Sequence, residues 1–189
     1  MAALAAACMS GAIPNAAVTD VIGTHPDSPA IARAAELGIT TSIARGRHEA
    51  FDAELMRLLD QTRPDLICLA GLMRKLPANV LAKYERRIVN IHPALLPSFG
   101  GKGMYGLHVH QAVLDHGCKV SGCTVHFVDE EFDNGPILMQ TCVPVLDDDT
   151  AESLAARVVA VEHETYPKAV QLIAEGRVSF EGRRVRIVP

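Results

Sequence analysis

The feature that most constrains this chain is a repeated alternation of short apolar, β-branched runs with longer helical patterns. Residues 18–23 and 66–70 have the length and composition of strands, and the second run is apolar throughout, as in strands buried on both faces. Between them, residues 47–61 place apolar side chains three or four positions apart, which predicts a helix with one buried stripe. The alternation predicts an α/β fold, Rossmann-like, with a mostly parallel twisted sheet flanked by helices.

The same reasoning extends over the remaining segments. We predict further strands at 87–91, 120–128 and 136–145, helices at 29–37, 77–84, 107–115 and 150–175, and a short C-terminal hairpin at 179–188 that turns at Glu181-Gly182. These elements suit one domain over 1–189, with residues 1–91 as a mononucleotide-binding half and residues 92–189 completing the site. Residues 1–11 are Ala-rich and are interpreted as the end of a helix. The leading strand and phosphate-binding loop usual in such folds are therefore expected to be absent from the given sequence.

Composition narrows the functional classes. A formal net charge of −4 provides no overall attraction to nucleic acid or to anionic membranes, so we expect neither partner. No stretch approaches the roughly 20 apolar residues of a membrane span. The five cysteines form no CxxC pair and no export signal precedes them, which predicts reduced thiols, a cytoplasmic location and no metal site.

The first candidate for chemistry is the segment 90–97, where a predicted strand runs into a loop. Asn90 and His92 stand two residues apart, so their side chains project to the same side of the strand. An amide donor and an imidazole at one place can stabilise an oxyanion and transfer a proton. The alternative for an isolated Asn-x-His is a histidine that caps a turn beside an asparagine bonded within its own loop.

A second candidate lies in the segment 125–136, a strand followed by a turn with four acidic residues. Asp133 differs from the other three because it directly precedes an Asn-Gly turn that can hold it towards the end of the sheet. A carboxylate beside an imidazole favours the charged ring, so we expect Asp133 to raise the pKa of His92. The alternative is a solvated turn residue.

Five segments of the chain resemble the folate-dependent formyltransferase family. They are residues 69–76, 90–99, 122–128, 133–136 and 162–167, within a resemblance that extends from about residue 18 to residue 178. The last segment, Glu-His-Glu-Thr-Tyr-Pro, is typical of the branch of the family whose acceptor is the amine of glycinamide ribonucleotide.

The resemblance implies transfer of the formyl group of 10-formyltetrahydrofolate to the amine of 5-phosphoribosylglycinamide, in purine (IMP) biosynthesis. Asn90 and His92 would stabilise the oxyanion, Asp133 would orient His92 and help to move the proton, and Glu162 would receive the amine end of the substrate. His126 could support the site from the neighbouring strand or pack in the core. The residues expected to bind the folate are Met73, Arg74, Lys75, Leu76, Asn90, Asp129, Glu130, Glu131, Phe132, Asp133 and His48.

The resemblance carries further expectations. No metal ion is required, the partners are small molecules, and the protein is a monomer or a homodimer. The Leu96-Pro97 peptide bond is expected to be cis.

The chain departs from the family pattern in three places. The N-terminal strand and Gly-rich phosphate loop are missing, which we attribute to a start codon assigned too far downstream; a real truncation would leave open strand edges and a poorly stable, nearly inactive protein. His48 replaces an arginine that meets the glutamate tail of the folate, and Arg45 or Arg47 could substitute for it. The Gly-rich loop 100–106 could bring backbone close to a ligand, act as a lid or simply connect two elements.

Two other functions remain open at this point. A formyltetrahydrofolate deformylase shares the Asn-x-His and Asp pattern but transfers the formyl group to water; Pro93 and the pair Glu162-His163 favour the transferase. The other alternative is a catalytically weak folate-binding protein, supported only by the absent phosphate loop. The reading frame upstream of Met1 separates this second alternative from an enzyme.

Overall fold

A computed structural model describes all 189 residues of the chain. Its helices are α1 Ala2–Met9, α2 Pro29–Glu36, α3 Glu49–Thr62, α4 Ala78–Lys83, α5 Leu107–Asp115 and α6 Ala151–Ala174. Its strands are β1 Asp20–Gly23, β2 Thr40–Ile43, β3 Ile67–Leu69, β4 Ile88–His92, β5 Val120–Phe127, β6 Ile137–Pro144, β7 Val178–Glu181 and β8 Arg184–Ile187. The predicted α/β class is confirmed. None of the six helices combines the length and apolar character needed to cross a membrane.

The central sheet is mixed, with its parallel pairs in the N-terminal half. β1 pairs in parallel with β2, and β3 pairs in parallel with β4. β5 then lies antiparallel between β4 and β6, which gives the order β3-β4-β5-β6. β5 and β6 are antiparallel because the short connection 128–136 has no room for the crossover that parallel neighbours need. That connection is the acidic turn in which Asp133 lies.

The strands of the central layer form two separate hydrogen-bonded groups, β1-β2 and β3-β4-β5-β6. β1 pairs only with β2 and β3 only with β4, so these two groups of strands are not hydrogen-bonded to each other.

The predicted C-terminal hairpin is also confirmed and packs back on the sheet. β7 and β8 pair from Val178 opposite Ile187 to Glu181 opposite Arg184. The Phe180 ring meets the Phe127 ring edge to face, with 4.8 Å between the ring centroids. This contact closes the end of the core beside the connection 128–136.

Helix α6 packs on the central strands of the sheet. Its buried residues Tyr166 and Ala169 pack against Val89 and Val125 of the central strands. Full burial of an aliphatic or aromatic side chain contributes about 1.5–3 kcal/mol. The Tyr166 hydroxyl lies within hydrogen-bond distance of the carbonyl oxygens of Leu69 (2.8 Å) and Val89 (3.0 Å). One side chain of α6 therefore holds the ends of β3 and β4 in place.

The loop after β4 is held against β5 and β6 by hydrogen bonds. The Leu96-Pro97 peptide bond is cis, as expected. The backbone N–H of Leu96 donates to Thr124 Oγ1 (3.0 Å), which in turn donates to the carbonyl of Ala94 (2.6 Å). Gln140 Nε2 donates to the carbonyl of Leu96 (2.9 Å). The loop that leaves His92 is therefore positioned by the neighbouring strands.

Candidate active site

His92 ends β4 and is almost fully buried, with 3% of its surface exposed. Its Nε2 lies 2.7 Å from the carbonyl oxygen of Phe99. Because a carbonyl can only accept a hydrogen bond, Nε2 carries the proton of the neutral ring. The other nitrogen, Nδ1, lies 3.4 Å from Oδ2 of Asp133. Nδ1 is therefore the nitrogen that can gain and lose a proton.

Asp133 is held in place from the opposite side by the Gly-rich loop. The backbone N–H of Gly101 donates to Asp133 Oδ2 over 2.9 Å. A Cβ on Gly100 would lie 2.6 Å from Leu96 Cδ2 and 3.1 Å from Asp133 Cβ, so the absence of a side chain at Gly100 allows the loop to approach Asp133 closely. Asp133 itself adopts a left-handed conformation with φ +52°. The loop therefore does more than connect β4 to α5, because it fixes the carboxylate beside His92.

The charges of this pair follow from burial and from their contacts. Burial by itself would raise the pKa of Asp133, but the contacts with His126, the N–H of Gly101 and the His92 ring outweigh it and hold the pKa below its ordinary value. Burial lowers the pKa of His92 by more than Asp133 and the Phe99 carbonyl raise it. Asp133 thus raises the pKa of His92, as expected, but burial sets the net direction, which is downward. A negative Asp133 stands beside a mostly neutral His92 at neutral pH.

Asn90 and His126 complete the group. His126 is 2% exposed, and its Nδ1 lies 2.9 Å from the carbonyl oxygen of Phe127, which makes Nδ1 the protonated nitrogen. Its Nε2 lies 3.3 Å from Asn90 Nδ2 and 3.6 Å from Oδ1 of Asp133. Contacts thus run from Asn90 through His126 and Asp133 to His92. The structure brings together the three residues that the sequence selected, and it places His126 among them.

These four side chains line a cleft of about 740 Å³. Its lining includes residues 69–76 after β3, residues 128, 129 and 131–133 after β5, the Gly-rich loop 101–106, and residues of α5 and α6. The cleft lies at the ends of β3 and β4, beside the turn that follows β5. Ligands of open α/β sheets bind at such an edge.

Most of the residues expected to hold the folate lie along this cleft. The lining includes Met73, Arg74, Lys75, Leu76, Asp129, Glu131 and Phe132, besides Asn90 and Asp133. Glu130 is exposed in the turn and does not line the cleft. His48 is also outside it, because it is an exposed residue at the start of α3 with φ 50°. The structure therefore does not bring Glu130 and His48 together with the others.

Apolar side chains of the segments 69–76 and 128–133 are exposed to solvent at the mouth of the cleft. Met73 is 61% exposed and Phe132 is 42% exposed. Lys75 spans the mouth, with Nζ 5.8 Å from the centroid of the Phe132 ring and 4.0 Å from Glu131 Oε2. Exposed apolar side chains at a concave edge are typical of a surface that receives a flat ring. By contrast, the carboxylate of Asp129 accepts from the N–H of Glu131 (2.9 Å), a contact that shapes the turn.

Glu162 lines the cleft from α6. Burial raises the pKa of its carboxyl to about 7, although the N-terminal amino group of Met1 acts in the opposite direction. A carboxyl with this pKa is ready to ionise when a cation enters the cleft. The structure thus places the Glu162 carboxyl in the cleft, and its role towards the amine end of an acceptor stays a prediction.

One further residue of the cleft is absent from the sequence predictions. His110 of α5 lines the cleft, is 3% exposed and leaves its Nδ1 without a hydrogen-bond partner. The sequence contained an indication of this position, because His110 precedes Val113 by three residues and so shares the buried face of the predicted helix. No group of three or more His, Cys, Asp or Glu side chains is arranged to hold a metal ion.

Comparison with known proteins decides the family. Residues 1–170 match the sequence profile of the family described as Formyl transferase. The chain belongs to this formyl transferase family. A chloroplastic phosphoribosylglycinamide formyltransferase of Vigna unguiculata is 49% identical over 135 residues, which is 71% of this chain and 43% of that protein. This chain thus spans less than half the length of the curated relative.

Solved structures of the family agree with the fold. The crystal structure of glycinamide ribonucleotide transformylase 1 from Symbiobacterium toebii superposes with a TM-score of 0.92 at 43% identity, covering 99% of this chain and 87% of that one. A formyltetrahydrofolate deformylase from Pseudomonas syringae is a more distant structural neighbour, with a TM-score of 0.87 at 26% identity over 100% of this chain and 61% of that one.

Proposed function

We propose that this chain transfers the formyl group of 10-formyltetrahydrofolate to the amine of 5-phosphoribosylglycinamide, a step of purine biosynthesis. The observation that carries the proposal is the convergence of Asn90, His92 and Asp133 in one cleft of about 740 Å³. The high identity to relatives named phosphoribosylglycinamide formyltransferase supports the choice of substrates. The absence of a paired cysteine is compatible with a cytoplasmic location, which belongs to the same proposal.

The two substrates occupy different parts of the cleft in this proposal. The pterin lies between residues 73–76 and 129–133, where Met73 and Phe132 offer exposed apolar surface. The amine end of the acceptor lies beside Glu162, on the side bordered by α5 and α6. The formyl carbon then stands between the two substrates, next to Asn90 and His92.

The reaction requires one bond to form and one to break. The amine nitrogen attacks the formyl carbon, and the oxygen of the resulting tetrahedral intermediate becomes negative. The Asn90 amide and a protonated His92 stabilise that oxygen. Collapse of the intermediate then breaks the bond between the formyl carbon and N10 of the folate, which leaves with a proton.

Proton movement is assigned to His92 and Asp133. Nε2 of His92 is occupied by the Phe99 carbonyl, so Nδ1 beside Asp133 takes the proton released by the amine. The lowered pKa of His92 favours its neutral form before attack, and the negative Asp133 stabilises the ring once it is charged. The same proton can then pass to the leaving nitrogen.

The test is a product assay with and without the amine acceptor. We expect formylated glycinamide ribonucleotide to form, and no formate to be released when the amine is omitted. Formate release that does not depend on the amine would instead assign the chain to the deformylase reaction. Complete absence of either product would overturn the proposed function.

A variant pair connects the activity to the site. Asp133→Asn removes the charge that stabilises protonated His92, so kcat should fall by about 10²–10⁴-fold. Asp115→Asn is the matched control, because Asp115 is exposed at the end of α5 and contacts only Gln111 (2.8 Å) among side chains. Full activity in Asp133→Asn would contradict the assigned role.

A further inference from the structure

His110 is a buried histidine of the cleft that the proposed mechanism does not use. It lies on the inner face of α5 with Val109 and Val113, and 3% of its surface is exposed. Its neighbour His108 is exposed and stacks edge to face on the ring of Tyr105. Of these two histidines only His110 borders the cleft.

The surroundings of His110 determine which ring nitrogen carries the proton. Nδ1 is sealed from solvent and has no hydrogen-bond partner. A neutral imidazole has one N–H and one lone pair, and an orphaned buried N–H is rarer in proteins than an under-satisfied acceptor. The proton of the neutral ring therefore belongs on Nε2. Nε2 is also the only polar atom left through which the ring can meet the cleft.

The ring remains neutral at physiological pH. Burial lowers the pKa of His110, and the nearby His92 ring lowers it further. A charged ring would also place a second N–H on the sealed Nδ1, where no acceptor is available. His110 therefore presents a neutral N–H donor to the cleft and cannot accept a hydrogen bond from an ammonium group.

The position of His110 identifies which substrate it faces. α5 packs against α6, the helix that contributes Glu162 to the same cleft. The segments 73–76 and 129–133, which are assigned to the pterin, belong to other elements of the cleft lining. Glu162 suits the amine of the acceptor, and a neutral donor nearby suits one of its oxygen atoms.

We propose that His110 is an additional substrate-binding residue, whose Nε2–H donates a hydrogen bond to an oxygen atom of the amine acceptor. This inference rests on the proposed function, since it assigns the α5 and α6 side of the cleft to the acceptor. A donor buried on a helix and held by packing provides orientation without a change of charge during the reaction.

Two substitutions test the hydrogen bond in the full chain. His110→Leu removes the donor, and His110→Gln keeps an amide N–H near the position of Nε2. We expect the leucine variant to raise KM for glycinamide ribonucleotide about tenfold, with kcat and the KM for formyl folate little changed. The glutamine variant should recover most of this loss. An unchanged KM in the leucine variant, or equal defects for both substrates, would overturn the inference.

Stability separates binding from a merely structural role. Leucine also removes the sealed, unpaired Nδ1, so the urea midpoint of His110→Leu should equal or exceed that of the parent. His108→Leu, on the exposed face of the same helix, is the matched control and should leave KM unchanged. A lower midpoint in His110→Leu that accounts for its loss of activity would contradict a binding role.

Nitrogen NMR of the histidine rings provides a measurement that does not depend on turnover. The His110 signals, assigned from their loss in His110→Leu, should show the Nε2–H tautomer at neutral pH and should shift when glycinamide ribonucleotide is added. An Nδ1–H tautomer, a charged ring or no shift with this ligand would overturn the inference. If the shift occurs in a chain that forms no formylated product, the inference stands and the proposed function fails.

Discussion

Replacing Glu162 with glutamine removes an ionisable group from an environment that disfavours its charge. Burial raises the pKa of the Glu162 carboxyl to about 7, against an ordinary value of 4.5 that the unfolded chain restores. The folded protein therefore binds this proton more tightly than the unfolded chain does. The stability contributed by protonated Glu162 is fully present below pH 4.5 and is lost as the pH rises through about 7.

The size of the effect follows from these two values. They differ by about 2.5, and one pKa unit corresponds to about 1.36 kcal/mol, which sets an upper limit of about 3.4 kcal/mol. Glu162 is only partly buried, so solvent screening reduces the expected change to about 1–2 kcal/mol. Because a glutamine side chain has no charge to desolvate, the free energy of unfolding of Glu162→Gln should exceed that of the parent by this amount at high pH.

Urea unfolding between about pH 5 and pH 8 measures this difference. Burial lowers the pKa of both His92 and His110, but these residues occur in both proteins and their contributions cancel in the comparison. Glu164→Gln is the matched control, since Glu164 is exposed on the same helix beside Lys168. A difference between Glu162→Gln and the parent that stays constant from pH 5 to pH 8 would refute the reasoning.

Three further substitutions follow from the structure. Asn90→Ala removes an oxyanion donor, so kcat in the product assay should fall by about 10²–10³-fold. The control variant Gln111→Ala, on the surface of α5, should stay active. Equal activity of the two variants would count against the role of Asn90. Gly135→Ala places a Cβ 1.8 Å from the carbonyl oxygen of Phe127, so the free energy of unfolding measured in urea should fall by about 1–3 kcal/mol. An unchanged urea midpoint would show that the turn moves freely. Tyr166→Phe removes the hydroxyl that contacts both β3 and β4, so the free energy of unfolding should fall by about 1–3 kcal/mol and kcat should decrease. Thermal unfolding measures the first effect, and a fully active, equally stable variant would contradict this role.

Local sequence determined the elements and the choice of the main candidates. Helix α5 has the predicted bounds, and β4, β5 and β6 lie within one or two residues of the predicted strands. These elements follow from periodicity and turn residues, which act over a few neighbouring positions. Asn90, His92 and Asp133 were recognisable because each belongs to a short motif next to the end of a strand.

Only the tertiary structure decided the electrostatics of the site. Asp133 raises the pKa of His92, as the sequence predicted, but burial lowers it by more. That burial exists only when β4, β5 and the Gly-rich loop pack together. The hydrogen bond from Gly101 to Asp133 joins two segments that are far apart in the sequence. The missing partner of His110 Nδ1 likewise depends on which elements pack around it. Sequence spacing sets which residues an element can offer, but distance, solvent exclusion and the protonated nitrogen depend on packing between elements, which local pattern does not encode.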